Sequence, residues 1–100
     1  MEDKIKELED FLDEEDNFLM KLRFYQPFDQ ENFDRLLILL KNIATETREQ
    51  DLIPKRLACR LVEIIPGMSG IDTDRFTHEQ QIALEDAIDQ AHHAIMDCLC

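Results

Sequence analysis

The chain is predicted to be all-α, a single domain (residues 1–100) folded as an antiparallel four-helix bundle. Three observations carry that prediction. Only two glycines and three prolines punctuate 100 residues, too few breakers for a fold of many short strands. Apolar residues recur at the three- and four-residue spacing of one helical face in four successive stretches. Residues with helix-starting or helix-ending chemistry stand between those stretches. The 44% hydrophobic content is that of a globular chain. A chain of this length buries roughly 60–70% of its unfolded surface, enough for one core.

The first helix is expected over about 3–23. Ile5, Leu8, Leu12, Leu19 and Leu22 form its stripe, widened by Phe11 and Phe18, with Glu15 standing where the next apolar residue belongs. Pro27 holds Gln26 away from the α region, so the helix stops by about Phe24. The aromatics Phe24, Tyr25 and Phe28 are expected to plug one end of the core. Asp29 is placed to cap a second helix, about 30–48, with Phe33, Leu36, Leu37, Leu40, Ile43, Ala44 and Thr47 on its inner face. A third helix is expected over about 52–65, with Pro54 in its first turn and Leu57, Ala58, Leu61, Ile64 and Ile65 facing inward. Pro66-Gly67 is read as its end, which leaves 66–76 as the longest loop, with Met68 and Ile71 in it. Thr77 and Gln80 match the T-x-x-Q capping box. They start a fourth helix, about 77–98, lined by Leu84, Ile88, Ala91, Ile95 and Cys98/Leu99.

Charge is segregated along this frame. Residues 1–34 hold twelve acids against four bases, residues 35–70 four against six, and residues 71–100 seven against one, within a formal net charge of −12. Net charge governs association rather than fold. Its sign excludes a general affinity for nucleic acid and favours a basic protein partner. Helical geometry puts Glu9, Asp13 and Asp16 on one outward strip of the first helix, with Asp10 and Glu14 beside it. Such a strip is either a solvated face or a dock for a basic partner, one whose spaced carboxylates can occupy a nucleic-acid-binding cleft.

Leu36 to Leu40 are five apolar residues in a row, and one core-facing stripe uses only Leu36, Leu37 and Leu40. Either the second helix is buried on two sides, or Ile38, with Leu39 on its flank, is an exposed anchor for a partner or a second copy of the chain. Lys55, Arg56 and Arg60 give the third helix a basic face, expected to pair with the acidic first or fourth helix, within the molecule or, as the alternative, across a dimer. If those two acidic helices are neighbours, their charges merge into one anionic face. If they are apart, each is paired locally by Lys55, Arg56 and Arg60, and a reading of the chain as an inhibitor loses most of its support.

No catalytic motif is present, so no enzyme is expected. Asp89, His93 and Asp97 form an i, i+4, i+8 row, but no histidine follows a glutamate at the spacing a di-iron bundle needs. The terminal Cys98-Leu99-Cys100 lacks the second pair of a zinc site. No metal or other cofactor is therefore expected. Three cysteines, an odd number, and an acidic start without a basic leader suit a reducing cytoplasm. No apolar run approaches a membrane span.

The expected function is that of a small acidic inhibitor or immunity-type protein. It would block a basic nucleic-acid-handling partner, such as a nuclease, through Glu9, Asp10, Asp13, Glu14 and Asp16, with Ile38 as apolar anchor. In size, helicity and charge the chain resembles the helical nuclease-immunity proteins and phage-encoded inhibitors. Two alternatives stand beside this: a homo-oligomeric structural or adaptor protein that associates, as a homodimer for instance, through the second and third helices, and a helical-bundle carrier of a metal or ligand.

Overall fold

The computed structural model describes residues 1–24, 26–74 and 76–100. It is a helical bundle of five segments: α1 (Glu2–Asp13), α2 (Phe18–Arg23), α3 (Gln30–Thr47), α4 (Lys55–Ser69) and α5 (His78–Leu99). Two of the expected caps form as read. The Asp29 carboxylate accepts from the Asn32 N–H at 3.0 Å. Thr77 accepts from the Gln80 N–H at 3.2 Å while the Gln80 side chain accepts from the Thr77 N–H at 3.0 Å, closing the reciprocal box.

The expected first helix is broken in two. Glu14 is extended (ψ 136°) and α2 begins afresh at Phe18. The cause is Asn17, buried at 1% exposure. Its amide nitrogen donates to the Phe11 and Leu12 carbonyls at 3.2 and 2.9 Å, and its Oδ1 accepts from the Met20 N–H at 2.9 Å. One side chain thus satisfies the end of α1 and the start of α2. Asn32, reaching over from α3, accepts from the Phe18 N–H at 2.8 Å and caps the same helix again.

The third helix of the bundle also departs from expectation at both ends. It starts at Lys55 rather than near residue 52, because Pro54 keeps Ile53 out of the α region and is itself extended (ψ 138°). It runs through Pro66 and Gly67 to Ser69. A proline inside a helix leaves the carbonyl four residues back without its partner. Here that residue is Val62, on the solvent side, where water can serve instead. The extra turn buries Met68 completely, worth about 1.5–3 kcal/mol, and closes with Gly70 N–H on the Pro66 carbonyl at 3.0 Å. Helical Gly67 packs against α2, where a Cβ would stand in ordinary contact with Leu19, 3.4 Å away.

Consecutive long helices are antiparallel. The Met1 nitrogen lies 3.2 Å from Glu46, and Glu14 lies 3.3 Å from Arg35, so α1 and α3 run in opposite senses. Going round the bundle, however, α1 packs against α3 and α4, and α5 packs against the same two. α1 and α5 therefore occupy opposite corners, and the 48–54 link crosses one end of the bundle. α1 and α4 lie side by side in the same sense, as do α3 and α5. The Cys98 thiol near the end of α5 donates to the Leu40 carbonyl of α3 at 3.3 Å. Burial pushes that thiol up to about 11, so it stays protonated and unreactive.

The core runs from Ile5 and Leu8 through Leu36, Leu40, Leu57, Leu61 and Ile64 to Leu84, Ala87 and Ala91. One end is filled by Phe11, Phe18, Phe28 and Phe33. Phe18 stands at its centre, 5.2 Å from Phe33 and 6.1 Å from Phe28, both edge-on. Of the aromatics expected at this end, Phe28 takes part, Phe24 is exposed, and Tyr25 lies outside the described residues.

Candidate functional site

The break after Asp13 divides the acidic residues among three places. Glu9 and Asp13 turn toward α4. Arg56 donates to Glu9 through Nε at 2.8 Å and through its second terminal nitrogen, and also pairs with Glu2. Arg60 reaches Asp13 at 3.1 Å and Glu63 at 3.2 Å, with Glu9 4.0 Å from its Nε. Arg56 holds the Glu9 carboxyl below the usual carboxylate range; Glu9 and Glu2 shift the Arg56 guanidinium upward, and Glu63 with Asp13 shifts that of Arg60 upward. This network ties two helices of the same chain together, so Glu9 and Asp13 are occupied at home. Lys55 has no ion pair among the described residues. The arginines of α4 pair with α1 and with Glu63, none with α5. Glu79, Glu85, Asp86 and Asp97 of α5 have no Lys or Arg partner among the described residues.

Asp16 leaves the strip altogether, because the helix that would have aligned it with Glu9 and Asp13 ends at Asp13. It lines a small cleft at the chain's first turn with Glu15, Met20, Lys21, Phe24 and Gln26.

Asp10 and Glu14 face the other way, toward α3, and there they meet Ile38. The three line one groove of about 400 Å³ between α1 and α3, with Glu7, Phe11, Arg35 and Leu39. Phe11 is its buried floor, Leu39 is half-buried, and Ile38 stands on the rim at 60% exposure. Ile38 is thus the exposed residue of the apolar run. The Arg35 guanidinium lies 5.2 Å above the Phe11 ring and 3.3 Å from Glu14, closing one end of the groove. Asp10 has only Lys6, at 3.5 Å with both side chains about two-thirds exposed, and Glu7 has no ion pair among the described residues. Glu7, Asp10 and Glu14 follow each other at i, i+3, i+7, a spacing legible in the sequence. Arg35 and Leu39 were not legible as partners of that row, because nothing local ties them to it.

A larger groove, of about 600 Å³, runs between α2 and the end of α4, past Leu12, Leu19, Met20 and Ile71. Its acids are engaged within the chain: Glu63 holds Arg60, and Asp72 accepts from the Asp74 N–H at 3.0 Å. Among the described residues no three His, Cys, Asp or Glu side chains gather as a metal ion requires. His93 of the expected α5 row has its Nδ1 2.9 Å from the Asp89 carbonyl oxygen. Among the described residues no helix is long and apolar enough to cross a membrane.

No family model matches the chain, and comparison with curated proteins and with solved structures finds no similar protein.

One further ion pair bears on stability rather than on the groove. Lys21 Nζ lies 2.6 Å from Asp29, the cap of α3. That contact, with the Asn32 N–H, holds the Asp29 carboxyl below its usual range, and Asp29 in turn raises Lys21. A carboxyl depressed in the folded state contributes stability above its unfolded pKa and loses it as pH falls through the folded value. Asp29→Asn keeps a good cap but loses the ion pair. The wild type is expected to be the more stable at pH 7, and the gap to close as pH is lowered through the carboxylate range. Urea midpoints of both proteins at pH 7, 5 and 3 check this. A gap undiminished between pH 7 and pH 3 would show that the pair is not its source.

Proposed function

We propose that this chain is a small acidic protein-binding module that docks a basic protein partner in the α1/α3 groove. The observation that carries the reading is the placement of Ile38. A large apolar residue stands 60% exposed beside two lightly engaged carboxylates, Glu7 and Asp10, on two packed helices. Binding energy concentrates in an apolar anchor desolvated at the centre of a polar rim, and opposite charge around it adds rate and selectivity.

The partner most in keeping with this surface is a nucleic-acid-handling protein, which presents the basic face the groove complements. An inhibitor acting here would cover that face from an anchored contact. The inhibitor reading through one merged anionic face loses most of its support, because α1 and α5 sit at opposite corners and Glu9 and Asp13 are held by Arg56 and Arg60; what remains to carry it is the anchored contact at Ile38. Of the acidic residues singled out in the sequence, the reading keeps Asp10 and Glu14.

A pull-down from native lysate at low and at raised salt tests the proposal, with wild type, Ile38→Glu and the double variant Glu7→Lys/Asp10→Lys compared. The wild type is expected to retain a basic protein that is lost at raised salt, and both variants to retain at least about tenfold less, as for a central anchor. A partner held equally by all three proteins would refute the groove as the site.

A further inference from the structure

We infer that the element docking in this groove is an amphipathic α-helix. The inference rests on the binding role proposed above and adds what the partner must look like. The groove is walled by two antiparallel helices. α1 presents Glu7, Asp10, Phe11 and Glu14, and α3 presents Arg35, Ile38 and Leu39. Both sets follow the i, i+3, i+4 spacing of a single helical ridge. Two such ridges leave between them the channel into which a third helix packs, side chains into grooves.

Backbone chemistry excludes the alternative. An extended segment laid on an apolar surface needs partners for its own N–H and C=O groups. A sheet edge would supply them, but the groove walls are helix interiors whose backbone groups are already paired, and no strand is present among the described residues. A helix arrives with its backbone satisfied and leaves only side chains to be matched.

Charge then fixes the register. Glu7 and Asp10 are three residues apart, about 4.5 Å along the axis, which a helix matches with two basic residues at i, i+3 or i, i+4. Glu14 is already paired with Arg35, so the guanidinium guards that end and repels a third base. An apolar residue between the two bases seats on Ile38 and Leu39. A second copy of the chain does not meet this description. The one pair of bases it holds at i, i+3 or i, i+4 is Arg56 and Arg60, and these are spent on α1 and Glu63.

The test uses designed 18-residue fluorescent peptides and anisotropy. The parent peptide is Ala-rich and helical, with two leucines on one face and lysines at i and i+3 beside them. A second peptide of the same charge carries two central prolines and cannot be helical. A third adds a lysine one turn further on, facing Arg35. The parent is expected to bind wild type at least about tenfold more tightly than the proline peptide, and to lose at least about that factor with Ile38→Glu. The third peptide is expected to bind wild type more weakly than the parent, and to recover on Arg35→Ala. Equal binding of the parent and proline peptides would overturn the helix while leaving a basic partner in the groove. A parent peptide that binds Ile38→Glu as well as wild type would remove the groove itself. If neither peptide binds and the pull-down still yields a salt-sensitive partner, the helix is overturned and the broader function stands.

Discussion

Asn17→Ala is expected to lower the stability of the fold by about 2–4 kcal/mol. The substitution removes the cap of α2, worth about 0.5–2 kcal/mol. It also strands the Leu12 carbonyl and leaves the Phe11 carbonyl with the Glu14 N–H alone, 3.3 Å away, in surroundings that water reaches poorly, at about 1–3 kcal/mol for a group left unmatched. Partial rehydration of a surface turn keeps the total below the sum. Against about 5–15 kcal/mol for a domain of this kind, the loss is large for a residue in a connecting turn. A urea midpoint shift at unchanged slope measures it. Asn17→Asp is the sharper comparison. Aspartate keeps the acceptor that caps Met20, and as a helix cap it equals asparagine. It loses the amide donor and sets a negative charge against two carbonyls, directly after Glu14, Glu15 and Asp16. It is therefore expected to be no better than alanine. Near-wild-type stability for Asn17→Asp would show that the cap of α2 matters and that the bonds to the end of α1 do not.

Asn17 also shows where sequence reading reaches its limit. The break it makes was marked in the chain by Glu15, a charge at a position the apolar stripe requires, and by an asparagine immediately before Phe18-Leu19-Met20. Periodicity carried across that gap because the stripe resumes in phase on the far side. The caps at Asp29 and Thr77 were readable since each is complete within four residues. The continuation of α4 through Pro66-Gly67 was not, because local breaker chemistry is overruled there by the burial of Met68 and by the solvent beside Val62. Least legible was the order of the helices around the core. A stripe says that a face is buried, never against which neighbour. The opposite placement of α1 and α5 therefore emerges only in the folded chain, and with it the fate of each acid: Glu9 and Asp13 turned to Arg56 and Arg60, Asp10 and Glu14 turned to Ile38. The exposure of Ile38 itself was half visible, since the stripe of its helix had no use for it.

Phe18→Ala is expected to be the most damaging single truncation of an apolar side chain near the groove, at about 3–5 kcal/mol. Phe18 is fully buried and touches three other rings, Phe11, Phe28 and Phe33. Its loss opens a cavity lined by flat faces that cannot collapse together, and it forfeits edge-on pairings worth about 0.5–1.5 kcal/mol each. A fall in Tm of some tens of degrees follows, at about 4–8 °C for each kcal/mol in a domain of up to 100 residues. Phe18→Leu, which refills most of the space, is expected to cost less than half as much. A mild effect of the alanine would mean that Phe28, only half-buried, swings in to fill the gap. Ile38→Ala makes the opposite case: an exposed residue outside the core, expected to stay within about 0.5 kcal/mol of wild type. The two substitutions act at either side of Phe11, the groove floor on which Arg35 rests. Phe18→Ala is expected to weaken binding only in proportion to unfolding, and to be rescued at low temperature. Ile38→Ala is expected to weaken it at full stability. That contrast separates what the helices need in order to hold the groove from what the groove offers to a partner.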